Sequence, residues 1–269
     1  MSARRATGLL VVIAFVSMAY VAAHAQAATK PFEPTVGQAG KDVVWVPTPQ
    51  ALVEKMLDLA KLTPQDFLMD LGSGDGRTVI TAAKRGATAQ GIEYNPDMVE
   101  LSKKNAAAAG VTAKATFVKA DLFETDFSKA QVITMFLLPS INMRLRPQIL
   151  KMRPGTRIVA NTFTMEDWEP DTSETIGGDC TSWCTAHLWI VPAQVQGTWQ
   201  AGQNALTLTQ KFQNVTGTLG STAITGGKLR GDEITFSAGG TKYTGKVNGN
   251  SISGTMSGGS SGSWSATKK

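Results

Sequence analysis

The chain has 269 residues, of which 42% are hydrophobic and 17% are charged, and its formal net charge is +5. This length and apolar content predict one or two folded domains with cores of their own. Residues 26–195 carry 17 basic and 19 acidic side chains, which argues against a basic nucleic-acid binder, and no nucleic-acid partner is expected. Residues 196–269 carry 7 basic and 2 acidic side chains, a surplus that favours either an anionic surface or simple solubility.

Residues 1–25 have the pattern of an export signal. Arg4 and Arg5 precede an apolar run over residues 9–21, and two Ala-x-Ala cleavage sites follow within residues 23–27. The run is short for a membrane span, which needs about 20 residues. We therefore expect a cleaved signal peptide and an extracytoplasmic protein, periplasmic or secreted, with an uncleaved membrane anchor as the alternative. Residues 26–42 are polar and contain proline, which predicts a flexible leader.

The pattern over residues 67–85 predicts a strand, a glycine turn and a helix. The turn, Asp70-Leu-Gly-Ser-Gly-Asp-Gly-Arg77, has G-x-G-x-G spacing and not the G-x-G-x-x-G of a dinucleotide site. Asp70 and Asp75 would repel a pyrophosphate but suit a cationic ligand. S-adenosylmethionine carries an ammonium and a sulfonium and no phosphate, so it fits this loop. For the glycines alone, a plain turn between strand and helix remains the alternative.

Two more acidic residues end the next two predicted strands. Glu93 follows the apolar run 87–92, and Asp121 follows the run 115–120. An acid about 20 residues after the glycine turn reaches ribose hydroxyls as an acceptor. A carboxylate after the third strand can accept from an adenine amino group, with Leu122 and Phe123 packing on the ring. Three acids that each end a successive strand predict one binding site better than three solvated strand ends.

The order of these motifs resembles class I S-adenosylmethionine-dependent methyltransferases. Residues 43–195 resemble more narrowly a bacterial group related to the ATP synthase c-subunit lysine methyltransferase family. The segments that carry this resemblance are residues 46–50, 70–77, 121–123, 136–139, 145–147 and 188–193. It implies a Rossmann-like α/β domain, S-adenosylmethionine as cofactor and N-methylation of a protein lysine.

The resemblance also implies a set of cofactor-binding residues. They are Asp70, Gly72, Ser73, Gly74, Asp75, Gly76, Glu93, Tyr94, Asp121 and Leu122. Asp70 would lie near the methionyl amino group, the three glycines under the cofactor, Glu93 on the ribose, and Asp121 with Leu122 at the adenine.

The methyl acceptor is less well defined by the sequence. Thr48, Phe136 and Trp168 are the residues that we expect at an acceptor pocket. Where amino-methyltransferases carry an Asn/Asp-Pro-Pro-Tyr motif, this chain has Met-Phe-Leu-Leu-Pro at residues 135–139, so no general base is identified and the catalytic residue is unknown. A small-molecule or lipid acceptor, and a non-catalytic exported binding protein on the same scaffold, are the alternatives.

The remaining pattern to residue 195 alternates helices and strands, which predicts a parallel sheet with an antiparallel edge. Thr48 is expected to cap a helix that has Pro49 at its first position, and Asn95 to cap a helix that ends at Gly110. The other elements expected are strands over 130–138 and 156–163, a helix over 140–152 interrupted near Pro147, and a final pair of strands within 173–193.

The only two cysteines are Cys180 and Cys184. In an exported chain one close pair predicts a disulfide that closes a small loop, with two unpaired thiols as the alternative. A zinc site needs more soft ligands nearby, and His187 is the only histidine outside the signal, so no metal is expected.

Residues 196–269 differ sharply in composition from the part before them. They are rich in Gly, Ser and Thr with alternating apolar residues, as in 206–212, and residues 225–235 are repeated in 244–253 at a spacing of 18. Gly231-Asp232 and Asn248-Gly249 are hairpin turn signals. The segment predicts a small antiparallel β domain, a barrel or a sandwich, with Trp199 and Trp264 near its ends.

Overall fold

The structure is a computed structural model, and it describes residues 32–178 and 180–269. Residues 33–269 form one compact unit. The predicted export signal, residues 1–25, lies outside the described residues. None of the helices within the described ranges combines the length and the apolar character that a membrane crossing requires.

The first sheet has seven strands in the order β3-β2-β1-β4-β5-β7-β6. The strands β1 to β5 are parallel, β7 is antiparallel to β5, and β6 pairs antiparallel with β7. Their bounds are β1 Phe67–Leu71, β2 Thr88–Glu93, β3 Ala115–Lys119, β4 Val132–Met135, β5 Arg157–Asn161, β6 Thr172–Thr175 and β7 Thr185–Ile190. The predicted parallel sheet with an antiparallel edge is therefore confirmed.

Within the described part of the chain, four helices cover this sheet: α1 Gln50–Leu59, α2 Arg77–Lys84, α3 Pro96–Ala108 and α4 Pro139–Ile149. Asn95 caps α3 as predicted, since its side chain accepts from the N–H of Asp97 at 2.9 Å. Thr48 is not the cap of α1, because the helix begins one residue later and Pro49 stands at the cap position. The predicted break at Pro147 is absent: α4 continues to Ile149, and the proline stands in its last turn.

The sheet is buried on both faces by two apolar clusters. Along β1, Leu68 belongs to the cluster that α1, α2 and α3 cover, while Met69 and Leu71 belong to the cluster that α4 covers. Successive side chains of a strand point to opposite faces, so a parallel strand between two helical layers is apolar throughout. The run Phe67-Leu-Met in front of Asp70 follows from this, and it leaves Asp70 as the polar residue near the strand end.

The second sheet closes into an antiparallel barrel. Its strands follow the order β11-β10-β12-β13-β14-β15-β16-β8-β9, and β9 pairs back onto β10. The bounds are β8 Gly197–Ala201, β9 Asn204–Lys211, β10 Asn214–Leu219, β11 Thr222–Ala223, β12 Thr225–Arg230, β13 Glu233–Ala238, β14 Thr241–Asn248, β15 Ser251–Gly258 and β16 Gly262–Lys268. Trp199 and Trp264 both belong to its buried core. Of the two predicted forms, barrel or sandwich, the barrel is the one found.

Two hairpin turns of the barrel pack against the first sheet's domain. Phe212, in the β9–β10 turn, stacks on Trp168 with ring centroids 5.7 Å apart. Gln213 donates from its side-chain amide to the carbonyl of Glu169 at 2.7 Å. Gly231, in the β12–β13 turn, accepts from the N–H of Ala193 at 2.8 Å. The predicted boundary at residue 195 is thus crossed by both apolar and polar contacts.

Candidate functional site

A cleft opens at the carboxyl ends of the parallel strands. The loops after β1, β2, β3 and β4 line it, together with residues 38–48. Since β1 has β2 on one side and β4 on the other, the strand order reverses at β1. Ligands of open α/β sheets bind in the crevice outside the strand ends at such a switch point.

The glycine loop after β1 forms the floor of this cleft. Gly72, Gly74 and Gly76 all have positive φ, at 78°, 54° and 83°. A residue with a side chain would be strained in this conformation. A Cβ on Gly74 would lie 2.6 Å from the indole nitrogen of Trp45, and a Cβ on Gly76 would lie 2.7 Å from the ring of Phe117. Gly72 and Gly74 line the cleft, whereas Gly76 does not and meets Phe117 beneath the loop.

Side chains from α2 and α3 hold the loop in place. The guanidinium of Arg77 binds the Asp75 carboxylate at 2.6 Å and also donates to the carbonyl of Thr48 at 2.9 Å. Ser102 donates to the carbonyl of Gly74 at 2.8 Å, and the Asn105 amide donates to the carbonyl of Asp75 at 3.0 Å. Asp75 is therefore paired with an internal cation, which leaves Asp70 and Glu93 as the acids better placed for a ligand.

Asp70 is buried at the base of the cleft. Its carboxylate accepts from the Thr134 hydroxyl at 2.6 Å. Burial raises the pKa of Asp70 to about 7, the neighbouring carboxylates of Asp75 and Glu93 act in the same direction, and the Thr134 hydrogen bond opposes them. A cationic group bound against this carboxyl would favour its charged form. This position suits the methionyl ammonium that the resemblance implies for Asp70.

Glu93 joins the loops that follow β1 and β2. One carboxylate oxygen accepts from the N–H of Gly74 and the other from the N–H of Asn95, both at 2.9 Å. A carboxylate has about four acceptor sites, so two backbone donors leave capacity for two hydroxyls. Glu93 lines the cleft, and this remaining capacity fits the ribose role expected of it.

Asp121 and Tyr94 meet the same lysine at the opposite wall. Asp121 is ion-paired with Lys41 and accepts from the N–H of Phe123 at 2.9 Å. Hydrogen bonding from Lys41 holds the pKa of the Asp121 carboxyl below its usual range. The Lys41 ammonium also lies 4.7 Å from the centre of the Tyr94 ring, and Leu122 lines the cleft beside Asp121.

The wall formed by residues 38–48 is not evident from the sequence. Gly37 donates to the carbonyl of Trp45 at 2.8 Å and Trp45 donates to the carbonyl of Gln38 at 2.9 Å, which folds the segment back on itself. Trp45 covers Gly74, and Lys41 reaches Asp121. Residues 33–42 thus include part of the predicted leader and part of the cleft wall. The indole of Trp45 fits closely over Gly74, where a Cβ would clash with it, and no local sequence pattern indicates this contact.

The three acceptor candidates do not come together. Thr48 and Phe136 line the cleft, with the Thr48 hydroxyl accepting from the Asn161 amide at 3.3 Å. Trp168 is fully buried away from the cleft, between Trp189 and Phe212. Its position is set by the barrel, which supplies Phe212.

The hydrogen-bond acceptors that line the cleft fit S-adenosylmethionine. Carboxylates stand at the ends of β1, β2 and β3, where they match an ammonium, a ribose and an adenine amino group in turn. Ser73 adds a second sign, because its hydroxyl is buried and has no hydrogen-bond partner among the described residues. Asp70, Ser73, Glu93 and Asp121 are the side chains that would hold this cofactor.

Cys180 and Cys184 are joined by a disulfide in the loop between β6 and β7. Within the described ranges, no three side chains of His, Cys, Asp or Glu cluster as metal ligands.

Comparison with known proteins agrees with this geometry. The model of the ANTKMT methyltransferase domain family matches residues 70–172. A protein-lysine N-methyltransferase of Saccharolobus islandicus is 44% identical over 131 residues, which are 48% of this chain and 81% of that protein. The ATP synthase c-subunit lysine N-methyltransferase of Rattus norvegicus is 32% identical over 165 residues, or 61% of this chain and 70% of that protein. The human protein of the same name is 34% identical, and the match spans 54% of its length.

Among solved structures, one from Salinibacter ruber is similar in sequence as well as in fold. It is described as an RNA methyltransferase in complex with S-adenosyl-L-homocysteine. It is 45% identical with a TM-score of 0.52, and the match covers 56% of this chain and 96% of that one. That relative was solved with S-adenosyl-L-homocysteine, which is the form that S-adenosylmethionine takes after it has lost its methyl group.

Proposed function

Because this chain belongs to a family of S-adenosylmethionine-dependent protein-lysine N-methyltransferases, we propose that it methylates the side-chain amine of a lysine in a protein. The observation that carries the proposal is the set of carboxylates of Asp70, Glu93 and Asp121. These three side chains end three neighbouring parallel strands and line one cleft. The names of the relatives support lysine as the methyl acceptor. The cleft supports the binding of the cofactor.

Different residues of the cleft would bind different parts of the cofactor and so orient it. When bound, S-adenosylmethionine supplies an electrophilic methyl carbon on its sulfonium. Asp70 would hold the ammonium, Glu93 the ribose hydroxyls and Asp121 the adenine edge. Fixing both ends of one ligand sets the direction from which an acceptor approaches, and such orientation accounts for much of the rate enhancement in a two-substrate reaction.

The acceptor amine must be neutral to attack. Phe136 and Leu137 follow β4 and line the cleft with apolar surface. An apolar wall disfavours the charged form of an amine and so lowers its pKa. The same residues exclude water from the reacting groups. In this proposal, they replace the polar motif that amino-methyltransferases carry at this strand end.

An RNA acceptor, as in the description of the Salinibacter ruber relative, agrees less well with the charge of this chain. Residues 26–195 carry more acidic than basic side chains. Binding of nucleic acid depends on a basic surface that displaces counterions from phosphates. Binding of a lysine side chain of a protein does not require a basic surface.

We also propose that the protein works outside the cytoplasm. The signal pattern of residues 1–25 motivates this, and the Cys180–Cys184 disulfide supports it, because disulfides persist in oxidising compartments. Amino-terminal sequencing of the protein recovered from its host tests the idea. A start at Gln26 or Ala28 is expected, and an intact Met1 or Ser2 in a soluble cytoplasmic pool would refute export.

The acceptor class is tested by incubating the protein with methyl-labelled S-adenosylmethionine and fractions of the host envelope. Label in protein bands is expected, and much less with the Glu93→Ala variant when the cofactor is held near the dissociation constant of the wild type. Label confined to the lipid, small-molecule or RNA fraction would overturn the lysine proposal and identify the acceptor class instead. Absence of transfer to any fraction would contradict an enzymatic function with envelope acceptors.

A further inference from the structure

Three aromatic rings from separate loops meet at the edge of the cleft. Phe136 follows β4 and lines the cleft, and Phe163 follows β5. These two rings stack with centroids 5.9 Å apart and an interplanar angle of 20°. Trp183, in the loop between β6 and β7, lies 6.0 Å from Phe136 at an angle of 59°. The start of β7 pairs with the end of β5, so all three loops lie at the same edge of the sheet.

Trp183 has two properties that packing does not explain. The residue is 43% exposed although Trp is the largest apolar residue type, and its backbone has φ of +55°. For a bulky residue a positive φ is a genuine outlier, and such strain persists only where the surroundings enforce it. An outlier that keeps an indole exposed beside a cleft is a sign of function, because burial would be the more stable arrangement.

The disulfide between Cys180 and Cys184 holds Trp183 in this backbone conformation. Cys180 and Cys184 enclose Trp183 in a loop with a sequence separation of 4. The base of the loop is closed by the hairpin of β6 and β7, where Ile176 donates to the carbonyl of Cys184 at 2.9 Å. The loop has few other ways to be held, since its own side chains are largely exposed.

We propose that the Cys180–Cys184 disulfide presents Trp183 as the outer wall of an aromatic entrance, completed by Phe136 and Phe163, that receives the alkylammonium arm of the acceptor. The inference rests on the proposed function, because it deepens the acceptor side of the same site. The exposed face of Trp183 attracts the ammonium before it loses its proton, and the three rings pack against its methylene stem. The ring that lines the cleft, Phe136, connects this entrance to the cofactor site.

Kinetics separate this role from a structural one. Trp183→Ala is expected to raise the half-saturating amount of the host envelope acceptor about three- to thirtyfold, with little change in the maximal rate. Trp183→Phe keeps a ring and should stay within about threefold of the wild type. The Cys180→Ser/Cys184→Ser variant should behave like Trp183→Ala. All three should bind S-adenosyl-L-homocysteine as the wild type does. A fall in maximal rate or in this affinity, in place of the acceptor effect, would overturn the proposal.

A binding measurement tests the entrance without any turnover. The protein is labelled with 5-fluorotryptophan, saturated with S-adenosyl-L-homocysteine and titrated with Nα-acetyl-lysine methylamide. The ¹⁹F resonance of Trp183 is identified as the one missing from Trp183→Phe. It should shift with the lysine probe, and less with the uncharged norleucine analogue. The wild-type shift should be lost in the Cys180→Ser/Cys184→Ser variant.

An unmoved Trp183 resonance would overturn the inference even if methyl transfer to protein is seen. Conversely, a probe-dependent shift together with label only in lipid or RNA would retain an amine-binding entrance and refute the lysine acceptor in the host envelope. Thermal melting of each variant shows that it is folded. If removal of the disulfide unfolds the loop, Trp183→Ala still tests the entrance, because Trp183 is exposed and its loss should leave the protein folded.

Discussion

Lys41 and Asp121, which both line the cleft, form an ion pair although 80 residues separate them in the chain. Lys41 belongs to the wall over the cleft, and Asp121 ends the third strand of the cofactor site. The pair therefore ties the wall to a residue that would contact the adenine. Both side chains are partly exposed, at 35% and 18%, so solvent and salt screen their attraction.

Lys41→Met should weaken S-adenosyl-L-homocysteine binding about two- to fivefold, because a solvent-screened ion pair makes only a small contribution. Calorimetry at low salt measures the difference. At about 1 M salt, where charges are screened within a few ångströms, the two proteins should bind alike. Lys84→Met, at an exposed position on α2, serves as the control and should have no effect. Equal affinities of Lys41→Met and wild type at low salt would show that the pair does not support the wall.

The parts of the site that the sequence predicted are those with local signals. Asp70, Glu93 and Asp121 each end an apolar run, and the sheet brings the ends of parallel strands together. The wall over residues 38–48 has no periodic pattern, and its position depends on Trp45 meeting Gly74 and Lys41 meeting Asp121. These are contacts between distant parts of the chain, which no local pattern encodes.

Trp168 shows the same limit for the acceptor side. In the sequence it follows a predicted strand, and we expect it at the acceptor pocket. In the structure it lies under Phe212 of the barrel, and the packing of one domain on another leaves no trace in local periodicity. Trp183 was missed for the converse reason, because only the closed disulfide loop brings it to Phe136.

Cofactor affinity should depend on pH through Asp70. Its pKa is raised to about 7, so below that pH the carboxyl must lose a proton before it can pair with the ammonium of the ligand. Affinity should therefore rise with pH by up to about tenfold per unit between about pH 5.5 and 7. Above about pH 8 the ligand's own amino group loses its proton and affinity should fall again.

The Asp70→Asn variant removes the titrating group and should bind weakly, without the rise between about pH 5.5 and 7. Calorimetry over this range in buffers of different ionisation enthalpy also counts the protons released on binding. A wild-type affinity that is flat across the range would contradict the role of Asp70.

Glu93→Ala should weaken S-adenosylmethionine binding by at least about ten- to a hundredfold, because a single hydrogen bond to a charged acceptor contributes about 1.5–3 kcal/mol. Glu93→Gln retains one acceptor oxygen for the N–H of Gly74 or Asn95, and its affinity should lie between those of Glu93→Ala and the wild type. Unchanged binding in Glu93→Ala would remove Glu93 from the cofactor site. A melting curve for each variant separates lost contacts from lost folding.

Deletion of residues 196–269 should leave a folded methyltransferase domain of lower stability. The barrel has its own core, which predicts independent folding, but its loss exposes Trp168 and removes the Gln213–Glu169 hydrogen bond. The shortened chain, which ends at Val195, should melt cooperatively at a lower temperature than the full chain.

Phe212→Ala in the full chain is the matched control for that deletion. It should reproduce part of the loss, up to about 3 kcal/mol, because Phe212 is only partly buried. An insoluble or non-cooperative shortened chain would show instead that the barrel and the sheet share one folding unit.

The most direct test of the account is the identity of the methylated group. The protein is incubated with methyl-labelled S-adenosylmethionine and host envelope protein, and the labelled band is hydrolysed to its amino acids and separated. The account predicts that the label is in Nε-methylated lysine and, at a cofactor concentration near the wild-type dissociation constant, is strongly reduced with Glu93→Ala. Label in any other amino acid, or in lysine to the same extent with that variant, would contradict it.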